Sequence, residues 1–208
     1  MKSTEKRFLL FAQYFSVNVP LREGIDDLSY KMLFTSVMDQ VMANYDPEVI
    51  VLQCGADSLG GDRLGCFSLS FDGHADCVAY MKKFGVPMMV LGGGGYTLRN
   101  VARCWANETG VLLGERLQDD IPENTEYLRF FGPEFTLRPK LIPRHENANT
   151  REYLNSIQED ICETLKQVKG APSVQMQAIP VDFFQETDYT LKDLDLQSMD
   201  LEETRDRA

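Results

Sequence analysis

Two residues that could take part in hydrolytic chemistry, Asp57 and Tyr96, each follow an apolar stretch of the sequence. Asp57 comes directly after residues 49–56, and Tyr96 comes after residues 86–91 and four consecutive glycines at 92–95. Both side chains are of kinds that metal-assisted hydrolysis uses. Apolar runs of this length, each followed by glycine, predict buried parallel strands in a β-α-β arrangement. Because the ligand sites of open α/β sheets lie beyond the carboxyl ends of the strands, this arrangement would bring both residues to one site.

Helices are predicted around these strands. Apolar residues recur at helical spacing in four segments, residues 29–45, 74–84, 98–113 and 150–168. Asn149 and Glu152 have the spacing of a capping box at the start of the last helix. Residues 114–148 contain four prolines and predict an ordered surface crossing with little regular structure. With 208 residues, of which 43% are hydrophobic, the chain can bury one sizeable core, so a single α/β domain is expected.

Several long motifs carry a resemblance to a known family. They are YFSVNVPLREGIDD at 14–27, QCGADSLGGDRLGCFSLS at 53–70, LGGGGYTLRNVARCW at 91–105, FFGPEFTL at 130–137 and APSVQMQAIP at 171–180. In wording and order they resemble the carboxyl-terminal half of the catalytic domain of the class I zinc-dependent histone deacetylases, members of the arginase/deacetylase superfamily. The resemblance implies a three-layer open parallel sheet of the arginase/deacetylase fold, truncated at the amino-terminal side.

The same resemblance divides the chain into three parts. Residues 1–13 form an unmatched leader, residues 14–180 the carboxyl-terminal part of a deacetylase domain, and residues 181–208 an acidic tail that we expect to be disordered. In the family, the paired histidines and the Asp-x-His zinc ligands lie upstream of the segment that matches residue 14. We therefore expect the zinc site of this chain to be incomplete and the chain alone to be inactive.

Site roles follow from the resemblance, residue by residue. It implies that Asp57 is a zinc ligand and that Tyr96 is the catalytic donor to the oxyanion. It places Leu64, Gly94 and Gly95 along the acetyl-lysine tunnel, the backbone carbonyl of Phe15 at a structural potassium ion, and Arg63 and Arg99 in a pocket for inositol phosphate at the corepressor interface.

Each of these residues also has an interpretation without a function. Asp57 could cap a helix or turn, and Tyr96 could be a buried aromatic residue that closes the glycine turn. The arginines Arg63 and Arg99 could pair with Asp62 or Glu108 on the surface. The chain has two histidines. His74 and His145 are interpreted as solvated side chains and not as replacement zinc ligands.

Composition limits the classes of function. The net charge of −11 argues against direct binding to DNA, which requires a basic face. The apolar run at residues 8–12 is too short to span a membrane and has no signal-peptide pattern after it. Five cysteines without a CxxC pair predict free thiols in a reducing compartment.

The resemblance therefore implies zinc-dependent removal of acetyl groups from histone lysines and transcriptional repression, in the nucleus or also in the cytoplasm. Acetylated histone tails and corepressor proteins are the implied partners. A second candidate is a non-catalytic interaction protein that binds corepressor or inositol phosphate, and a third is a truncated gene product. Removal of the upstream strands would also leave an open sheet edge, through which the chain could associate with itself.

Overall fold

The computed structural model of the chain describes residues 14–168. It contains four α-helices: α1 (Asp27–Tyr45), α2 (Phe71–Lys82), α3 (Leu98–Leu113) and α4 (Arg151–Leu165). Two strands, β1 (Ile50–Gln53) and β2 (Met88–Leu91), and two short 3₁₀ helices, Ala56–Ser58 and Leu128–Phe131, complete the described elements. The predicted helices and strands and the irregular crossing at 114–148 are confirmed. The motif at 171–180, the leader 1–13 and the acidic tail 181–208 lie outside the described residues.

The helix starts are set by short polar side chains. The Asp26 carboxylate accepts a hydrogen bond from the Ser29 backbone N–H at the start of α1. At α4 the prediction of a cap by Asn149 is wrong, because Thr150 is the N-cap and accepts from the Tyr153 N–H at 3.2 Å. The Asn149 side chain is engaged elsewhere: its oxygen accepts from the Arg22 N–H at 2.8 Å, and its amide group donates back to the Arg22 carbonyl.

Two apolar clusters form the core. The first joins α1 and α4 and consists of Ile25, Leu33, Val37, Leu154, Ile157, Ile161, Leu165 and Val168. The second lies under the first 3₁₀ helix and between α2 and α3, and consists of Ala56, Leu59, Phe71, Val101 and Cys104. Helix α2 also packs against α1. The second cluster supports the carboxyl ends of the strands and thereby the region of Asp57.

The two strands form a parallel pair in the register Ile50 to Met88 through Gln53 to Leu91. Parallel pairing is confirmed, but the prediction that both faces are buried is wrong. Leu52 points toward α1 and α2, whereas Val51 and Met89 are 63% and 57% exposed on the opposite face. No element within residues 14–168 covers that face. Self-association through this region stays a prediction.

All five cysteines lie in the described region and are free, which confirms the predicted absence of disulfides there. None of the helices within residues 14–168 is both long enough and apolar enough to cross a membrane.

Candidate functional site

The ends of β1 and β2 bring the Asp57 turn against the glycine loop. The Cys54 N–H donates to the Leu91 carbonyl at 2.7 Å, and the Ala56 N–H donates to the Gly94 carbonyl at 2.7 Å. These bonds continue the pairing of the strands for three residues beyond β1. The first 3₁₀ helix, which contains Asp57, therefore lies directly beside the loop that leads to Tyr96.

Glycines around Asp57 are required by close approach. A Cβ atom on Gly94 would lie 2.1 Å from Oδ2 of Asp57, and a Cβ atom on Gly65 would lie 1.7 Å from the Asp57 carbonyl oxygen. Gly95 has a φ of +142°, a backbone conformation that other residues rarely adopt, and a Cβ there would meet Val101. The backbone of the loops on both sides thus lies so close to Asp57 that Gly65 and Gly94 leave no room for a side chain.

Asp57 and Tyr96 line one pocket of about 380 Å³, together with Gly94. Side chains of α1 and α2, among them Tyr30 and Val78, form its opposite wall. Tyr96 is 43% exposed, so it is not a buried aromatic residue that merely closes a turn. The structure therefore brings together the two residues that the sequence predicted at one site.

Asp62 organises the backbone around this pocket. Its side chain is buried, and its two carboxylate oxygens accept four backbone hydrogen bonds, from Leu64 and Gly65 on one side and from Tyr96 and Thr97 on the other. Burial alone would raise the pKa of Asp62, but these hydrogen bonds hold the pKa below its ordinary value. Asp62 thereby joins the loop of Leu64 to the loop of Tyr96.

From the sequence, Asp62 was expected only as a partner for an arginine. Its bond to the N–H two residues later is an Asx turn, which the Gly-Asp-Arg-Leu-Gly sequence could have indicated. The two bonds to the Tyr96 loop join residues more than 30 positions apart in the sequence, and no local pattern predicts them.

His74 is buried and not solvated, which corrects the prediction. Its Nδ1 atom hydrogen-bonds to the Glu108 carboxylate, and its Nε2 atom lies 3.0 Å from the Gly55 carbonyl oxygen. Burial alone would lower the pKa of His74, but the hydrogen bond and the negative charge of Glu108 raise it above the ordinary value. Both ring nitrogens of His74 are therefore engaged.

A ligand atom from each of His74, Cys104 and Glu108 lies within 4.8 Å of the others, in a buried cluster. Burial raises the pKa of the Cys104 thiol, so it stays protonated and is a poor metal ligand. Because the His74 and Glu108 atoms are in direct contact, no metal ion fits between them. We therefore describe this cluster as a hydrogen-bonded His74–Glu108 pair beside a neutral thiol.

The residues near Asp57 do not complete a zinc site. His145, the second histidine, lies in an exposed loop with Nδ1 3.3 Å from the Glu23 carboxylate. A catalytic zinc site needs about three protein ligands. At this pocket, residues 14–168 supply the Asp57 carboxylate and no free imidazole, so the described set does not fit zinc without further ligands.

The other predicted residues have different locations. Leu64 is exposed on the loop that Asp62 holds. Arg63 and Arg99 are also exposed, and neither forms an ion pair within residues 14–168. The predicted pairing with Asp62 or Glu108 is therefore wrong, because backbone N–H groups and His74 occupy those carboxylates. Phe15 packs against Tyr45 with ring centroids 5.9 Å apart and does not line the pocket.

Comparison with known proteins identifies the family. Residues 5–112, more than half of the chain, match the model described as "Histone deacetylase domain". Histone deacetylase 9 of Arabidopsis thaliana is 53% identical over 173 residues, which are 83% of this chain and 40% of the relative. Histone deacetylase 1 of Oryza sativa subsp. japonica is 54% identical over 169 residues, 81% of this chain and 32% of the relative.

A vertebrate relative gives the same result. Probable histone deacetylase 1-B of Xenopus laevis is 53% identical over 171 residues, which are 82% of this chain and 35% of the relative. The chain thus spans between about a third and two fifths of the length of these relatives. The matched region includes the strands, the glycine loop and the Asp57 turn described above. This chain belongs to the histone deacetylase family.

Proposed function

We propose that this chain supplies Asp57 and Tyr96 to a zinc-dependent histone deacetylase site, in which an acetyl group is removed from a histone lysine. The observation that carries the proposal is that both side chains line one pocket beyond the ends of two parallel strands. Family membership supports the reaction class. The proposal includes the three-layer open parallel sheet of the arginase/deacetylase fold, of which β1 and β2 would be two neighbouring strands.

In this proposal Asp57 would provide one oxygen ligand to a zinc ion, which would supply Lewis-acid chemistry when bound. Because the described residues do not provide the remaining ligands, we derive no step through the ion. Tyr96 donates its hydroxyl hydrogen bond to the carbonyl oxygen as negative charge develops there. Asp62 holds the Tyr96 backbone, and Leu64, Gly94 and Gly95 border the path of the acetyl-lysine side chain.

Complementation tests this function. The chain would be coexpressed with a polypeptide that carries the upstream half of rice Histone deacetylase 1, and the copurified assembly assayed on an acetylated histone peptide with zinc. We expect turnover that Asp57→Ala abolishes, because a zinc ligand is lost. Asp160→Ala, at an exposed position on α4, is the matched control and should keep the activity. Turnover that persists in Asp57→Ala would contradict the proposal, as would an inactive assembly of folded halves.

A second candidate function is binding of inositol phosphate at a corepressor interface. The supporting observation is that Arg63 and Arg99 are exposed and form no ion pair within residues 14–168. Nη1 of Arg144 lies 3.5 Å from the Arg63 carbonyl, and Nη1 of Arg99 donates to the Gly132 carbonyl at 3.4 Å. Guanidinium groups bind phosphate through two parallel hydrogen bonds. This function does not need a complete zinc site, so the chain could perform it alone.

Calorimetry with inositol tetrakisphosphate tests this candidate. We expect binding that weakens steeply with added salt, since the contacts join opposite charges that ions screen. The double variant Arg63→Ala, Arg99→Ala should weaken binding at least about a hundredfold, since each charged hydrogen bond removed costs about 1.5–3 kcal/mol. Arg151→Ala changes another exposed arginine, on α4, and should bind normally. Equal affinity in the double variant would remove this candidate.

The remaining parts of the proposal concern context. We propose acetylated histone tails and corepressor proteins as partners, in the nucleus, with residues 14–180 as the deacetylase part of the chain. A potassium ion at the Phe15 carbonyl is proposed by resemblance to the family alone.

A further inference from the structure

The turn that delivers Asp57 is held by side chains of the neighbouring helices. Two consecutive backbone carbonyls follow β1, and each accepts one such hydrogen bond. Nε1 of Trp105 on α3 donates to the Cys54 carbonyl at 2.8 Å, and Nε2 of His74 on α2 lies 3.0 Å from the Gly55 carbonyl. Neither carbonyl can therefore rotate without loss of a partly buried hydrogen bond, and Asp57 lies two residues after Gly55.

Both partners of His74 are acceptors. The Gly55 carbonyl oxygen can only accept, and an ionised Glu108 carboxylate can only accept. A neutral imidazole has one N–H, so it could serve only one of these partners. To donate to both partners, the His74–Glu108 pair must hold one more proton. The imidazole holds it, because the ordinary pKa of imidazole, about 6.5, exceeds that of a glutamate carboxyl, about 4.3.

We propose that His74 is a buried imidazolium and a positioning residue for the Asp57 turn, with Glu108 as its counter-ion. Trp105 and Glu108 are three positions apart on α3 and therefore on the same helix face. Helix α3 thus holds the turn twice, directly through Trp105 and indirectly through Glu108 and His74. The role in positioning rests on the proposed function of Asp57, whereas the protonation state does not.

His74 faces two negative charges, those of Glu108 and Asp57. Tyr96 borders the same region from the glycine loop, and four further titratable groups lie there: Cys54 after β1, Tyr30 on α1, Cys77 on α2 and Cys104 on α3. Burial raises the pKa of Cys54, of Tyr30 and of Cys77 to about 12, and it raises the pKa of Cys104 as well. All four groups are neutral at physiological pH, so a cation at His74 is balanced.

NMR of the full chain with ¹⁵N-labelled histidine tests the charge. The chain has two histidines, so one variant, His145→Gln, assigns both signals. We expect both ring nitrogens of His74 to be protonated at pH 7, and His74 to titrate at higher pH than a histidine in an unfolded peptide. A neutral His74 ring at pH 7 in the folded chain would overturn the proposal, and this measurement needs no variant in the pair.

Glu108→Gln tests the positioning. Loss of the counter-ion should weaken proton binding by His74 at least about tenfold, since an opposite charge at contact shifts a pKa by roughly one to three units. Amide hydrogen exchange at residues 55–57 should become faster. Glu159→Gln, at an exposed position on α4, is the matched control and should change neither quantity. Unchanged exchange in Glu108→Gln, together with a lowered His74 pKa, would show that the ion pair does not position the turn.

The outcomes for this inference and for the proposed function can be told apart. If the complemented assembly is inactive while His74 is an imidazolium that protects residues 55–57, the deacetylase proposal fails and the ion pair stands. If the assembly is active while His74 is neutral, the inference fails and the function stands.

Discussion

Purified alone and supplied with zinc, the 208-residue chain is expected to hydrolyse an acetyl-lysine peptide no faster than buffer does. Zinc must be held by about three protein ligands before it can activate water. The two histidines are both engaged, His74 by Glu108 and Gly55 and His145 by Glu23. Asp57 alone would hold zinc too weakly, and no described imidazole is free to act as the general base.

The decisive measurement is peptide turnover with and without added zinc at high protein concentration. Zinc-dependent turnover that disappears in both Asp57→Ala and Tyr96→Phe would contradict this expectation, because it would show a complete site. Turnover that survives both substitutions would indicate a contaminating enzyme. In the complemented assembly, by contrast, Tyr96→Phe alone should lower kcat by about a hundred- to a thousandfold, as loss of an oxyanion donor does.

The Asp62→Asn substitution is expected to lower the free energy of unfolding by about 3 kcal/mol. Asparagine keeps one oxygen for two of the four backbone donors and turns an N–H₂ group toward the other two. Hydrogen bonds to a charged group contribute about 1.5–3 kcal/mol, and a buried donor left without a partner adds to the loss. Urea unfolding followed by circular dichroism measures the difference.

The control for Asp62→Asn is Asp160→Asn, an exposed aspartate for which we expect a change of less than about 0.5 kcal/mol. The pH dependence gives a second readout. Since the folded pKa of Asp62 is depressed, its contribution is present above the ordinary carboxyl pKa of about 3.9 and is lost as pH falls through the folded pKa. The variant should lack this part of the acid dependence. Equal stability of Asp62→Asn and the parent would disprove the role of this carboxylate.

Local patterns in the sequence were enough to predict the helices and strands and the region in which the site lies. Helical periodicity predicted α1 and α3 with errors of at most two residues at their ends, because their apolar faces pack on α4 and α2. The apolar runs before Asp57 and Tyr96 predicted adjacent parallel strands, and the structure pairs β1 with β2 in parallel. The sequences and order of the motifs also indicated the family, which the comparisons establish.

What the sequence could not predict depends on contacts between distant segments. His74 looked like a solvated surface histidine, since nothing near it in the sequence indicates that Glu108, 34 positions later, meets its ring. From the sequence, Asp62 was considered only as a partner for an arginine, since nothing near it indicates that the Tyr96 loop meets its second oxygen. The polarity of an isolated residue does not determine its burial, because burial is decided by the element that packs over it.

By itself, the sequence determined the α/β class, the family and the expectation that Asp57 and Tyr96 lie at one site. Hydrophobic periodicity and motif order can be read from short segments of the chain, without knowledge of distant contacts. Only the tertiary structure decided that one face of the β1–β2 pair is exposed, as Val51 shows, and that the buried His74 meets both Glu108 and the Gly55 carbonyl of the Asp57 turn. An apolar strand favours burial of both its faces, but its sequence does not show whether another element packs on each face. Which strand face is covered, and which charged groups meet, depends on contacts between segments that are far apart in the sequence. Folding brings those segments together.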